Sequence, residues 1–363
     1  MINLQPTMKQ NQFLAIAIGI ITAYFLIQGL YSLEEFLVPI LYAALLSMLF
    51  LPLCSFLERK KFPRVLAILI CLLIIIISIS VVLILFYSQV AAFADDIPLF
   101  KQKAWEKFGD VEHLIESLTH ITADQQTQWI KSNYSQMISI GSGVAKEILL
   151  GITSGLEVFL IVIIYTFFFL LLRQRLMVFI LKLFPEERHQ KVAEILKKTQ
   201  HVTRHYMSGQ IQVLVIVGLL NWIGFMFLGV KQAFFWGMLR GLLNIIPYVG
   251  ALLGAIFPLL SAMTYNDGII SSLGVIGVVL LTQIIQDNFL IPKIIGSHIK
   301  INPLATIMVI IAGGMLWGLN GLVLFLPLLG IVKIICDNID ILKPLGYLLG
   351  ESSEDEIDIS KFK

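Results

Sequence analysis

The sequence predicts an all-α fold: a polytopic transmembrane helical bundle with two broken or re-entrant hairpin helices. Three observations lead to it. The 363-residue chain is 58% hydrophobic and 14% charged, with a mean hydropathy of +0.88. Soluble domains carry roughly 25% charged residues, so most of this chain must face lipid or a large apolar interior. Six apolar runs reach or slightly exceed the ~20 residues that a helix needs to cross a bilayer. Two further runs, Ala233–Met263 and Pro303–Val332, exceed that length and are broken in the middle.

The six spans follow in order. Phe13–Leu33 comes first, after a lone Lys9. It is too long for a signal-peptide core and reads as a retained span. Phe36–Leu57 is second, Val65–Phe86 third and free of charge, and Ile148–Leu172 fourth. Ile211–Val230 is fifth, and Ile269–Ile291 lies between the two broken stretches. The resulting organisation begins with spans one to three (1–87) and an extracytoplasmic helical segment (88–147), followed by span four (148–172). A cytoplasmic amphipathic helical linker (173–207), a transport core (208–340) and a cytoplasmic acidic tail (341–363) complete it.

Loop charge sets orientation. Arg59, Lys60, Lys61 and Arg64 join spans two and three, and basic loops stay cytoplasmic. Glu34 and Glu35 face out. Segment 88–147 has five Lys/Arg against eight Asp/Glu, and 173–207 has eight against three Glu. The N-terminus is then inside. Beyond span five two topologies compete. If both broken stretches cross, Lys293, His298 and Lys300 face out. If both are re-entrant hairpins, these bases face in and the basic-inside bias holds. Length and charge together favour hairpins. Phe257-Pro-Leu-Leu ends the first broken stretch and Leu326-Pro-Leu-Leu the second, and the spans preceding them would run in opposite directions. That is an inverted repeat in outline.

The non-membrane segments carry helix signals without chemistry. Trp105, Val111, Leu114, Ile115 and Leu118 are spaced like one helix face, and His113 and His120 sit among solvated carboxylates. Leu176, Phe179, Ile180 and Leu183 form an apolar stripe beside basic residues, suited to an anionic inner leaflet or the underside of the bundle. Pro185-Glu-Glu then opens another helix, with carboxylates at its positive end. A net charge of +2 gives no reason to expect a nucleic-acid partner. Cys54, Cys71 and Cys336 lack metal-ligand spacing and read as small core residues. No metal-binding or nucleophile constellation appears, so neither an enzyme nor a cofactor or metal is expected.

Polar residues inside the apolar runs are the candidate site, because a charge at bilayer depth costs at least ~2.5–3.5 kcal/mol unless paired or wetted. Asp287 leads, with Gln283, Gln286 and Asn288 beside it. Gln283, Gln286 and Asp287 share a helical face. They read as a cation or proton site, as a hydrogen-bonding face for a substrate, or as a helix end whose charge pairs with Lys293. Arg240, on a helix with Gln232 and Asn244, is a counter-charge for Asp287 or an arginine snorkelling to the interface. Glu157 in span four is a coupling group or a wetted carboxylate near the outer surface. Pro247 and Gly250 break the first stretch; Gly313, Gly314, Gly318 and Gly321 break the second. Broken helices free backbone groups and turn half-helix ends toward a solute. Gly218 and Gly224 read as packing positions.

Several segments together carry a family resemblance. They are Phe184-Pro-Glu-Glu-Arg188, Tyr206-Met-Ser-Gly-Gln210, Ile246-Pro-Tyr-Val-Gly250, Gln286-Asp-Asn-Phe-Leu-Ile-Pro292 running on to Gly296, Asn302-Pro-Leu, Gly313 to Gly321, and Leu326-Pro327. In order and spacing the chain resembles the autoinducer-2 exporter family of membrane transporters. The resemblance implies a multi-pass cell-membrane protein that exports small polar metabolites or signalling molecules, a small-molecule substrate, and homo-oligomeric assembly in the bilayer. Some members behave like sodium/proton antiporters, so a proton or sodium ion is a candidate partner. The mechanism expected is alternating access, with the C-terminal core carrying the site; a membrane scaffold or enzyme is the distant alternative.

Overall fold

The computed structural model describes residues 7–85, 155–245, 249–265, 269–296 and 301–351. The expected outer segment 88–147, Pro247, and the tail beyond residue 351 lie outside them. Every described element is helical: α1 (Thr7–Ser32), α2 (Glu34–Arg59), α3 (Arg64–Leu85), α4 (Gly155–Lys182), α5 (His189–Phe227), α6 (Ala233–Leu243) and α7 (Val249–Tyr265). Then come α8 (Ile269–Ile285), which runs on through a π turn (Gln286–Leu290) into Ile291–Ile294, α9 (Pro303–Asn338) and α10 (Lys343–Leu349). Among the described residues six helical segments are long and apolar enough to cross a membrane: α2, α3, α4, α5, α8 with its extension, and α9, which reaches that length only across a break in its middle. The fold is an all-α polytopic bundle.

Each N-terminal boundary has a local cause. Glu34 and Glu35 occupy the first turn of α2, where anions favour the positive helix end. Lys61 takes a left-handed φ of 67°, turning the chain from α2 into α3. The buried thiols of Cys54 and Cys71 meet between these helices at 2.8 Å, within an apolar cluster that includes Ile68, Leu72, Ile75 and Leu170. Arg173 pairs with Glu58, and Arg64 Nη2 donates to the Leu170 carbonyl at 3.2 Å. The α2 end, the α3 start and the α4 end therefore share one end of the bundle.

Residues 173–207 are helical on both sides of a break at Pro185, the first part continuing α4 and the second opening α5. No glycine or proline interrupts the chain between Gly155 and Pro185, so Leu176, Phe179 and Ile180 prolong the spanning helix and Leu183 lies in the turn just past its end. Pro185 stops it, and a short 3-10 turn, Glu186–Arg188, leads into the 39-residue α5. At 1.5 Å per residue α5 is about 58 Å long, nearly twice the ~30 Å hydrocarbon thickness.

The first broken stretch is a hairpin. α6 lies back along α5: Gly237 abuts the Trp222 backbone, and Gly241 sits so close that an added Cβ would come within 2.8 Å of the Gly218 Cα. α7 then returns along α6. Trp236 and Phe257 stack at 5.6 Å, and Ser261 Oγ donates to the Lys231 carbonyl at 3.3 Å, beside the α6 start. α8 runs antiparallel to α5, with Gly224 against Val278 at one end and Gly209 against Ile294 and Ile295 at the other.

The second broken stretch also folds back. α9 breaks at Trp317 and at Gly318, whose φ of 52° and ψ of −130° suit glycine alone. Gly313 and Gly321 then meet backbone to backbone, and Gly314 faces Leu322. Asn302 closes the base: its Nδ2 donates to the Leu348 carbonyl at 2.6 Å and its N–H to Leu349 at 3.0 Å. The α9 start thus lies beside the chain that follows its end. Trp317 packs on Val38 and Leu45 of α2, and its Nε1 donates to the Leu30 carbonyl of α1 at 3.0 Å. Asp340 ties this end to α5 through Lys191 at 3.4 Å; its carboxyl is held below its usual range by the Lys343 hydrogen bond and the Lys191 charge.

Candidate functional site

The polar residues of the core converge where the tip of the first hairpin meets α8. α6 ends at Asn244, and α8 passes alongside at its π turn. Such turns insert one residue into a helix and often mark functional sites. Arg240 occupies the last turn of α6, where a cation suits the negative helix end. It is 1% exposed, so it does not snorkel. Its stem packs against Gly254 of α7, where any side chain would collide with it.

The guanidinium reaches across to α8. Nη2 donates to the Val279 carbonyl at 3.1 Å and to Gln283 Oε1 at 3.3 Å. Gln283 Nε2 in turn donates to both carboxylate oxygens of Asp287, at 3.1 and 3.0 Å. Arg240 and Asp287 are therefore joined through an amide rather than paired directly. Asp287 is exposed. Beside this relay, Asn244 and Gln286 exchange hydrogen bonds: Asn244 Nδ2 donates at 2.9 Å, and Gln286 Nε2 donates back at 3.3 Å. Both are buried. Five of the sequence candidates thus meet: Arg240, Asn244, Gln283, Gln286 and Asp287.

The remaining candidates lie elsewhere or do different work. Asn288 is exposed and donates to the Ile284 carbonyl of its own helix at 2.9 Å. Glu157 is exposed near the start of α4. Gly250 packs against the Leu243 carbonyl and closes the first hairpin. Gly313, Gly314, Gly318 and Gly321 build the second hairpin, at whose tip Tyr42 Oη lies 3.5 Å from Asn320 Oδ1.

Two further buried polar residues, on α8 and α5, carry no strong mark in the sequence. Thr282 is 3% exposed and donates to the Val278 carbonyl at 2.8 Å. Asn221 is fully buried on α5; its Nδ2 donates to the Val217 carbonyl at 2.8 Å, while Oδ1 has no partner among the described residues. Arg240 Nε is also buried without a partner there. The readable mark was a lone amide in an apolar run, one helical turn from both Gly218 and Gly224. The whole arrangement offers amides that both donate and accept, one buried cation and one exposed carboxylate.

Residues 13–341 match the family model described as AI-2E family transporter. The chain is 26% identical to the AI-2 transport protein TqsA of Escherichia coli strain K12, over 84% of this chain and 87% of that protein. It is 26% identical to the YrrI protein of Bacillus subtilis strain 168, covering 86% of this chain and 90% of that one. The YueF protein of the same organism is 25% identical, over 81% and 82%.

Proposed function

The chain belongs to the AI-2E family of transporters, and from that premise we propose that it exports small polar metabolites or signalling molecules of the autoinducer-2 kind by alternating access. It is a multi-pass protein of the cell membrane, and its substrate is a small molecule. The observation that supports the finer reading is the Arg240–Gln283–Asp287 relay beside the Asn244–Gln286 pair. These contacts join the hairpin tip to α8 through amides, whose bonds a polar solute can replace one for one. A tip held by replaceable bonds opens when the solute takes them over. Opposite running directions in α5 with its hairpin and α8 with its hairpin fit an inverted repeat that exposes the site to each side in turn. Ion coupling through Asp287 and assembly into a homo-oligomer belong to the same proposal.

Vesicles containing the purified protein test it. Wild type should release loaded autoinducer-2, and Gln286→Leu should cut the initial rate at least about tenfold, because Asn244 then loses its exchangeable partner. Equal rates for the two proteins would move the site away from this hairpin.

A further inference from the structure

Far from the hairpins, the two thiols between α2 and α3 stand closer than packing alone would bring them. Cys54 Sγ and Cys71 Sγ are 2.8 Å apart, and neither is bonded to a partner in a disulfide. Even carbon atoms, which are smaller than sulfur, sit best at about 3.5–4.0 Å from one another. A sulfur–sulfur bond is about 2.05 Å long, so the gap left to close is less than one ångström. Both residues are fully buried, among Ile68, Leu72, Ile75 and Leu170. Cys54 stands five residues before Arg59 and Cys71 seven residues after Arg64, about 7–11 Å along their helices from the basic end of the bundle. Loop charge places that end on the cytoplasmic side. Arg173 paired with Glu58, and Arg64 bound to the Leu170 carbonyl, tie the helix ends together there.

We propose that Cys54 and Cys71 are a redox modification site: a dithiol that hydrogen peroxide converts to an intramolecular disulfide, stapling α2 to α3. The oxidant must be small and uncharged, because the pair is shut off from water and flanked by lipid-facing helix. Hydrogen peroxide meets both conditions; a charged peptide disulfide such as oxidised glutathione meets neither. In the first step one sulfur attacks a peroxide oxygen. The oxygen–oxygen bond breaks, that sulfur becomes a sulfenic acid, and one water leaves. In the second step the other sulfur attacks the sulfenic sulfur. The sulfur–oxygen bond breaks, the disulfide forms, and a second water leaves. Two electrons pass from the sulfurs to the peroxide, and both thiol protons end in water. The nearness of the second thiol directs the sulfenic acid to a disulfide rather than to higher oxides. Disulfides on the cytoplasmic side are characteristically transient and redox-sensing. The staple joins positions 17 apart, across the turn at Lys61. It removes freedom from the unfolded chain, and so it should stabilise the bundle.

The proposal does not depend on which solute the chain moves, and its test needs no transport assay. The full chain in vesicles is treated with excess hydrogen peroxide, then unfolded and alkylated. Of its three cysteines only Cys336 should then take the label, and mass spectrometry of the digest should find the peptides of Cys54 and Cys71 joined. The melting temperature should rise by about 3–6 °C and fall back after dithiothreitol, a small uncharged reductant. Oxidised glutathione should give no link over the same time. Cys71→Ser should abolish both the link and the rise in melting temperature, and Cys71→Ala gives the same reading if the serine variant does not fold. Cys336→Ser should leave both intact. Three labelled thiols after peroxide overturn the proposal, as do sulfinic or sulfonic acids in place of the link. So does a link that reaches Cys336 or a second copy of the chain. A link that forms as fast with oxidised glutathione as with peroxide overturns it too, because the pair is then not sealed.

Discussion

Arg240 is a permanently charged side chain that is 1% exposed in a chain built to sit in lipid. What makes it tolerable is the polar edge of α8, and that edge yields two predictions. Asn244 and Gln286 satisfy each other in a buried setting. Asn244→Leu or Gln286→Leu alone strands an amide and should cost about 1–3 kcal/mol. The double leucine variant should cost less than the sum of the two singles, because neither amide is then left behind. Thermal unfolding in detergent measures all three, and strict additivity would mean the pair is not formed. Asp287 is exposed, so Asp287→Asn should leave the unfolding free energy within about 0.5 kcal/mol of wild type. Flux across vesicles, with and without a proton gradient, then shows whether the carboxylate couples transport: the variant should lose gradient dependence while still inserting.

Individual elements are shaped by the few residues that let backbone meet backbone. α9 folds on itself because Gly313 and Gly321 touch and Gly318 adopts a conformation closed to other residues. Gly318→Ala should cost about 1–3 kcal/mol from backbone strain, and Gly321→Ala at least as much, because its methyl group would enter the Gly313 carbonyl. Retained stability in Gly321→Ala would contradict the hairpin. Trp317→Phe keeps an aromatic ring, though a smaller one, and leaves the Leu30 carbonyl without the indole donor. Faster amide exchange at Tyr31–Leu33 should follow. The glycine-rich break was legible in the sequence, because clustered glycines at bilayer depth have few other uses. The fates of Leu176, Phe179 and Leu183 were not. Their apolar spacing reads the same on a helix lying beneath the membrane and on α4 prolonged to its end at Lys182 with Leu183 in the following turn, and only the run without glycine or proline up to Pro185 separates the two.

At the scale of the molecule, hydrophobic length and loop charge carry most of the architecture, and both are properties of sequence windows. The spans, the two broken stretches and the shared end of α2, α3 and α4 follow from them. Convergence in space does not. Nothing in one sequence says that Arg240 and Asn244 of α6 meet Gln283 and Gln286 of α8, because periodicity gives a face without naming its neighbour. The relay through Gln283 was hidden for a related reason: opposite charges in a sequence suggest a direct pair, and the geometry inserts an amide. Sidedness can be checked directly. Lys293, at the α8 end beside Gly209 of α5, should on the basic-inside reading face the cytoplasm. Lys293→Cys should react with an impermeant thiol reagent only in inside-out vesicles, and labelling in intact cells would reverse the orientation of the core.

The bond between Arg240 and Gln283 joins residues 43 positions apart, and a ribosome makes them in order. At about 5–20 residues per second, roughly 2 to 9 seconds pass between them. During that interval α6 holds a guanidinium whose acceptors on α8 do not yet exist. Leaving it in lipid costs about 2.5–3.5 kcal/mol, and α6 has only 11 residues, too few to cross. The first hairpin therefore has no stable resting place of its own and must wait at the membrane surface, or within the insertion machinery, until α8 arrives. A chain stopped after Tyr265 should leave this hairpin extractable by alkaline wash, whereas one stopped after Ile294 should hold it fast. The order in which helices enter the bilayer would then differ from the order in which they are made.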